Sequence, residues 1–481
     1  MLSFALIKKN YPGCLFFLSS VCTHRLAIRI HLISLLLGGI LLSQVCSAQT
    51  DTATRAPEIH QFSLSDCIRY AEAHEHDIKN ARLDQQFAQE QVRENTGKLL
   101  PHAEITGSFL DNLKLATTLI PDFQSGDLDH KIPVQFGNKY TSSLSGQVNQ
   151  TIFNSNYFIG LKAAKVYQEL SVRSVDATRV NTRVNVTKAY FNVLVNQEGI
   201  RIAKANQAQL EKSLQDTRAK YAAGIAETVD VNRIEVLVNN ARVGIENQQR
   251  LLDYSLYELK FQMGMPLMDS LKLTQTVQEF ALQTQSMDTS GYQVGDRPEY
   301  AIQQTQTRLN ALSLKSSRLS FLPSLSAYVN YGYNYFAGSF GDLYDKGYGS
   351  SAIGLSLSFP IFSGTERIHR NHEARITLEQ SRNDLDHLAE NIRLEVKGAY
   401  VQYQNNLAQL DTQKKNMELT QGVYDRIKYK FDQGVASSLD LLSAENELQQ
   451  AQNNYIDALL NTLMSRVDLE KAMGRIFGEQ P

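Results

Sequence analysis

Tryptophan is absent from this 481-residue chain, and cysteine occurs only four times. Three of the cysteines, Cys14, Cys22 and Cys46, precede the cleavage point predicted below, so Cys67 alone remains in the mature chain. A disulfide framework and a thiolate metal site are therefore excluded from the mature protein. We expect Cys67, in the stretch LSDCIRYA, to be a small buried apolar residue.

The chain also has neither a large excess of charge of one sign nor a long hydrophobic run. The formal net charge is −2, which gives no basic field for nucleic acid, so we expect no nucleic-acid partner. A mean hydropathy of −0.30 argues against a helical membrane protein. The longest apolar run, LISLLLGGILL at residues 32–42, is too short to span a bilayer as a helix.

The surroundings of this apolar run indicate an export signal. It follows Arg25 and Arg29 and precedes small residues that end at Ala48. This order of basic, apolar and small residues predicts a signal peptide over residues 1–48. Lipidation of Cys46 is the less favoured alternative, because the preceding residues, SQV, depart from the lipobox pattern.

Proline is missing over two long stretches, residues 134–265 and 361–480. Residues 156–222 can then form one helix about 100 Å long, at ~1.5 Å per residue. No globular domain needs such a helix, whereas the bacterial periplasm is about as deep. Apolar residues that recur every seven positions predict a coiled-coil seam in the following helix: Val231, Val238, Ile245, Leu252 and Leu259.

A short sequence that is typical of a turn occurs twice in the chain. KYAAGIAETVDV begins at Lys220, and KFDQGVASSLDL begins at Lys430, at an offset of 210 residues. Other pairs share nearly the same offset, so we predict two tandem structural repeats over residues 49–266 and 297–481. Residues 267–296 join them and are expected to form an equatorial segment.

Each predicted repeat contains two segments in which apolar and uncharged polar residues alternate, at about 101–112 and 139–153, and at about 323–336 and 350–362. A water-soluble sandwich also alternates in this way. The length of these segments and the Tyr and Phe near their ends favour membrane strands. Four strands cannot close a barrel, and open edges are not tolerated in lipid. Three chains would supply twelve strands, so we expect a homotrimer.

The repeated turn predicts a helical hairpin in each repeat, over residues 155–264 and 364–475, with tips at 223–229 and 433–439. Gly224 and Gly434 are expected to end the long helices in the left-handed conformation. Thr228 and Ser438 are expected to cap the returning helices.

These residues resemble the TolC-like outer-membrane efflux proteins, over essentially the whole predicted mature chain. The most specific feature is the doubled glycine–apolar–x–x–x–x–aspartate tip, at residues 224–230 and 434–440. The Leu-Pro pairs that end at Pro101 and Pro323 are also similar. The resemblance implies a mixed α and β membrane protein, in which a trimeric 12-stranded transmembrane β-barrel continues into a long periplasmic α-helical barrel.

The function that the resemblance implies is a passive export conduit across the outer membrane and periplasm. Its partners would be outer-membrane lipid, a periplasmic membrane-fusion adaptor and an inner-membrane pump that drives efflux or secretion. No cofactor is implied. The exported substrate, the particular pump and the particular adaptor are not specified by the sequence.

The resemblance also implies a periplasmic gate at the tips. In the family, acidic, aromatic and arginine side chains close the entrance there. The matching gate and constriction positions in this sequence are Asp230, Phe431, Asp440 and Ser443.

One gate position departs from the family. Ala436 occupies the place of the arginine, so the usual salt bridge to Asp230 cannot form. We expect a looser latch with one acidic ring, with Lys428 or Lys430 as the substitute cation. The tip rims are expected to dock the adaptor through residues that also cap helices: Gly224, Ala226, Thr228, Gly434, Ala436 and Ser438.

Other classes of protein fit less well. We find no phosphate loop, nucleophile elbow or spaced histidine–carboxylate set, so an enzyme is not expected. His369 and His372 are more simply explained by a solvated helix face than by a metal site. The main alternative is an exported periplasmic coiled-coil scaffold or adaptor, which would not need four membrane-length strands. A porin is a weaker option, because the strands are few and the helices long.

Overall fold

The computed structural model describes residues 59–122, 127–281, 287–289 and 291–475. The predicted signal peptide and Cys46 lie outside these ranges. The described residues form eight α-helices and eight β-strands, together with a short 3-10 turn at Val294–Asp296.

One antiparallel sheet combines strands from both halves of the chain. Its strands, in spatial order, are β2 (His102–Asp111), β5 (Tyr140–Phe153), β7 (Ser324–Ala337) and β8 (Gly347–Ser358). They lie close to the four alternating segments, although β8 begins and ends a few residues earlier than predicted. Within the described ranges the outer edges of β2 and β8 pair with no further strand.

The register of this sheet separates an apolar face from a polar one. Leu144 pairs with Tyr333, and Val148 pairs with Val329, which in turn pairs with Ile353. Paired residues point to the same side of a sheet, so these side chains share one face. Ile353 on this face is 83% exposed in the single chain.

Four helices form two long hairpins. The first consists of α3 (Ser155–Ala222) and α4 (Thr228–Gln262), and the second of α7 (Glu366–Asp432) and α8 (Ser438–Ala472). With 68 residues, α3 is about 100 Å long at ~1.5 Å per residue. No helix in the described ranges is long and apolar enough to cross a membrane.

The remaining helices flank the hairpins. They are α1 (Leu64–His74), α2 (His76–Gly97), α5 (Val277–Ala281) and α6 (Pro298–Leu319). Near the sheet the helices pack in a row, with α2 on α3, α3 on α6 and α6 on α7. Pro298 occupies the start of α6, where a missing N–H leaves no partner unsatisfied.

The sequence of residues 64–99 predicts one helical run, but the structure divides it into α1 and α2. Glu75 is extended (φ −62°, ψ 141°) and separates α1 from α2, and its carboxylate accepts a hydrogen bond from Ile78 N at 2.9 Å. Gly264 approaches this break so closely that an added Cβ would lie 2.6 Å from His74 O. The break therefore makes room for a segment about 190 residues later in the chain.

The segment that joins the two halves packs around the middle of the hairpins. Its strand β6 (Ser270–Leu273) pairs in parallel with β1 (Ile59–Phe62). The Phe280 ring lies 5.0 Å from the Phe191 ring of α3, within the largest apolar core of the chain. Cys67 is fully buried in this core, as predicted.

The sequence predicts a loop over residues 113–138, but the described residues of this range include two further strands. Strands β3 (Thr117–Asp122) and β4 (Asp127–Gln135) pair there as an antiparallel hairpin. Pro121 and Pro133 lie within these strands and obscured the signal, since proline usually argues against a strand. Both strands belong to a separate two-stranded sheet, where edge positions tolerate proline.

Candidate functional site: the two hairpin tips

The first tip ends α3 with a left-handed glycine. Gly224 has φ +74°, as predicted from its place in the motif. Ile225 N donates to Lys220 O at 2.9 Å, and Gly224 N donates to Tyr221 O at 2.9 Å. These two bonds form a Schellman motif, which satisfies the last carbonyls of the helix and reverses the chain.

The second tip repeats this geometry. Gly434 has φ +77°, Val435 N donates to Lys430 O at 2.8 Å, and Gly434 N donates to Phe431 O at 3.0 Å. An added Cβ at either tip glycine would meet no atom within 4 Å. The requirement for glycine at both tips is therefore conformational.

The prediction that Thr228 and Ser438 cap the returning helices was wrong by one position. Both are already the first helical residues, and the caps are Glu227 and Ser437. Only the residue before the first helical one has the extended backbone that lets a side chain reach the third N–H. The hydroxyls of Thr228 and Ser438 are thus free of the capping role.

Aspartate completes each cap from the first turn of the returning helix. Asp440 N donates to Ser437 Oγ at 3.2 Å, and Ser437 N donates back to the Asp440 carboxylate at 2.9 Å. At the first tip Glu227 N donates to the Asp230 carboxylate at 3.3 Å. The Ser437 N–H and hydroxyl hold the pKa of the Asp440 carboxyl below its usual value.

Two cations of the first hairpin hold the second hairpin at the tip. Lys220 Nζ donates to Asp432 O at 2.7 Å and lies 5.4 Å from the centre of the Phe431 ring. Arg233 Nη1 donates to Ser438 Oγ at 2.9 Å, so Ser438 links the hairpins. The sequence analysis predicted no role for either cation, although Lys220 is the first residue of the repeated motif.

The predicted gate residues lie in different environments. Phe431 is only 9% exposed and packs among apolar residues of its own chain, including Tyr424 and Leu441. Asp440 and Ser443 are exposed, and Ser443 Oγ lies 3.4 Å from the carboxylate of Glu447. The single chain therefore presents an acid and a hydroxyl outward and keeps the aromatic ring inside.

The predicted substitute for the missing arginine is not formed within the chain. Among the described residues, neither Lys428 nor Lys430 makes an ion pair with Asp230. The ion pair closest in sequence to Asp230 joins Arg218 of α3 to Glu235 of α4, at 3.0 Å. Asp230 is partly exposed.

A buried acid lies one to two turns from the second tip. Glu445 is 6% exposed, and burial raises the pKa of its carboxyl, while the Tyr424 hydroxyl and Lys428 act in the opposite direction. The Tyr424 ring is fully buried beside it. Glu445 lies 210 residues after Glu235, the offset of the repeated turn, but the sequence analysis assigned no role to it.

The described ranges contain no group of three or more His, Cys, Asp or Glu side chains that could hold a metal ion. The rings of His369 and His372 lie 6.3 Å apart on an exposed face of α7.

A family model described as "Outer membrane efflux protein" matches residues 67–265 and 301–475. The chain belongs to the outer membrane efflux protein family. Each matched block contains one complete hairpin with its tip.

Several known proteins are similar in sequence to this chain. It is 24% identical to the alkaline protease secretion protein AprF of Pseudomonas aeruginosa, over 72% of this chain and 74% of AprF. It is 22% identical to the probable efflux pump outer membrane protein TtgC of Pseudomonas putida, over 88% and 84% of the two chains. Its identity to the outer membrane protein TolC of Escherichia coli is 19%, over 70% of each chain.

Solved structures share the fold. A crystal structure of CusC superposes with a TM-score of 0.69 at 18% identity, and covers 86% of this chain and 92% of CusC. VceC of Vibrio cholerae superposes with a TM-score of 0.64 at 15% identity, over 86% and 96% of the two chains.

This efflux family member is therefore an outer-membrane export channel. Proteins of the family are transport channels and not enzymes. The alternative of a periplasmic scaffold or adaptor is set aside by the family match.

Proposed function

We propose that three copies of this chain close a passive conduit across the outer membrane and periplasm. Each copy contributes four strands to a 12-stranded barrel, and its two tandem repeats, over residues 49–266 and 297–481, contribute the hairpins of a periplasmic helical barrel. The supporting observation is the four-stranded sheet, whose outer edges pair with no strand among the described residues and whose apolar face is exposed in the single chain. Lipid tolerates no open edge, so closure requires further copies.

The first test is the mass of the detergent-extracted particle, measured by light scattering with the detergent subtracted. A mass of about three mature chains in the outer-membrane fraction is the expected result. A monomer or dimer in that fraction would refute the closed twelve-stranded barrel.

The tips form the periplasmic end of this conduit and dock a membrane-fusion adaptor, which couples the channel to an inner-membrane pump. The rims at residues 223–229 and 433–439 support this role, because both turns are fixed by the same backbone geometry and are largely exposed, apart from Ser438, which is buried within its own chain. The names of relatives such as AprF and TtgC include both secretion and efflux. The exported cargo therefore depends on the pump.

The exposed Asp440 carboxylate forms an acidic ring of three at the narrow end, with Ser443 beside it. Within each copy the hydrogen bonds from Ser437 lower the pKa of this carboxyl and so favour its ionised form. Because Ala436 replaces the family arginine, the latch between copies is weak, and Lys220 and Arg233 supply the hairpin contacts within each copy instead.

A further inference from the structure

A groove with an apolar floor and a basic rim lies between α3 and α6, close to the sheet. The space within this open groove is about 530 Å³. Its lining residues come from two neighbouring helices and are mostly cationic or apolar: Lys162, Lys165 and Val166 from α3, and Arg308, Ala311, Leu312 and Lys315 from α6.

The positive charge of this basic groove is largely uncompensated. Arg308 donates both of its terminal nitrogens to the Glu169 carboxylate, at 2.9 and 2.8 Å, so that acid is already engaged. Lys162, Lys165 and Lys315 are exposed, and no ion pair engages them in the part of the chain that the structure describes. Three amino groups therefore surround an apolar surface, an arrangement that suits an amphiphilic anion.

The basic groove continues the apolar face of the sheet. Across a bulge in β5, Phe153 pairs with Leu325, which belongs to that face through its pairing with Leu357. The Phe153 ring lies 6.1 Å from the Phe158 ring, at the start of α3. The apolar surface thus extends from the strands onto the first turn of the helix.

Lys162 and Lys165 follow Phe158 by four and seven residues, so all three lie on one face of α3. Phe158 is exposed, as an aromatic residue at a membrane interface is. This inference rests on the proposed barrel, in which the apolar face of the sheet meets lipid. The basic groove then opens to the outside of the channel, directly below the membrane.

Neighbouring copies would leave the basic groove accessible. In the row of helices near the sheet, α2 and α7 are the outer members, and α3 and α6 are the inner pair. Copies that join edge to edge would meet at α2 and α7. The groove is therefore formed within one chain and stays open in a closed ring.

Lys162 and Lys315 lie close to the depth of the headgroup layer. Lys162 lies seven residues into α3, or ~10 Å along its axis, and Lys315 lies four residues before the end of α6, or ~6 Å. Lys165 lies ten residues into α3, or ~15 Å, so its side chain must extend furthest toward the membrane. The headgroup region extends roughly 5–8 Å beyond the hydrocarbon core on each side. Long lysine side chains can extend several ångströms toward it.

We propose that the basic groove binds the phosphate of an anionic phospholipid from the periplasmic leaflet of the outer membrane. The three amino groups contact the phosphate, and the apolar floor packs against the lysine stems and the glycerol region. Such a site would anchor the channel at a fixed depth, where the barrel meets the helical tube.

The test uses the purified full-length channel and two lipids with identical acyl chains, phosphatidylglycerol and phosphatidylcholine. Lipids retained per trimer are counted by native mass spectrometry. We expect the unmodified channel to prefer phosphatidylglycerol, and the triple variant K162Q/K165Q/K315Q to lose this preference by about 10-fold or more, since each lysine near an anionic surface adds to binding.

A matched variant, K212Q/K397Q/K414Q, removes the same charge from exposed positions on α3 and α7 outside the basic groove. It should retain the preference. An equal loss in both triple variants would overturn the proposal, because it would show that net charge alone attracts the lipid. Unchanged binding in K162Q/K165Q/K315Q would also overturn it.

Two further readouts separate this proposal from the proposed channel. Light scattering and bilayer conductance should give a trimeric, conducting particle for every variant, so a loss of trimers in the unmodified protein would refute the barrel instead. If K162Q/K165Q/K315Q keeps its lipid but binds the periplasmic adaptor less tightly, the groove is a protein site and the lipid proposal fails.

Discussion

Lys220→Met tests how the two hairpins are held together at the tip. Methionine keeps the length of the stem but removes the donor to Asp432 O and the cation beside the Phe431 ring. A hydrogen bond from a charged group contributes about 1.5–3 kcal/mol, and an exposed cation–π contact about 0.5–1 kcal/mol. Because Lys220 is only half-buried, we discount these values for solvent screening and expect a local loss of about 1–2 kcal/mol.

The assay is hydrogen exchange at the second tip, followed by mass spectrometry of peptides over residues 430–440. The Gly434 and Val435 amides are protected by the Schellman bonds to Phe431 O and Lys430 O. A loss of 1–2 kcal/mol should speed their exchange by about 5- to 30-fold. The tip should also open more often, which bilayer recordings would detect as higher conductance.

Lys212→Met is the matched control, because Lys212 is an exposed lysine two turns earlier on the same helix. It should leave exchange at residues 430–440 unchanged. Equal exchange rates in K220M and the unmodified channel would refute the reasoning, and would show that Lys220 does not hold the second tip.

Three further perturbations test the gate, a tip glycine and a buried acid. Asp440→Ala should weaken cation selectivity in bilayer recordings, and unchanged selectivity would contradict the acidic ring. Gly434→Ala forces a side chain into φ +77° and should destabilise the tip by about 1–2 kcal/mol, seen as faster local exchange. Gly398→Ala, in an exposed helix interior, should instead slow exchange slightly. Glu470 of α8 is 9% exposed, and burial raises the pKa of its carboxyl to about 7 from its usual value of 4.5, although Arg466 Nε donates to it at 3.1 Å. The folded state therefore binds the extra proton, and stability falls as pH rises from 4.5 to 7, by at most about 3 kcal/mol. Glu470→Gln should flatten this part of the thermal stability profile, whereas Glu211→Gln, on an exposed helix face, should not; an unchanged profile in E470Q would contradict the assignment.

The resemblance identified the family correctly, because the doubled tip motif is a local pattern that short stretches of sequence carry in full. The positions of Gly224 and Gly434 follow from the same locality, since a left-handed backbone favours glycine whatever surrounds it. The cap assignments failed by one residue at Thr228 and Ser438. Neighbouring Ser, Thr and Glu can all cap, and only the backbone angles distinguish them.

The candidate site was only partly predictable. The positions of the tips and of their aspartates could be predicted from the repeated motif, but the contacts of Lys220 and Arg233 could not. Their partners, Asp432 O and Ser438 Oγ, lie more than 200 residues away in the chain. Phe431 likewise depends on packing, because nothing in its local sequence shows that the ring is enclosed by its own chain.

The sequence by itself determined the long helices, the alternating strands and the reversals between helices, because helix continuity, side-chain alternation and glycine conformation are local properties. Tertiary structure alone decided the helix break at Glu75, where Gly264 approaches, and the pairing of β1 with β6. It also decided that lysines from α3 and α6 form one groove beside the sheet. These features arise between residues distant in sequence, and only the packing of the helices brings them together.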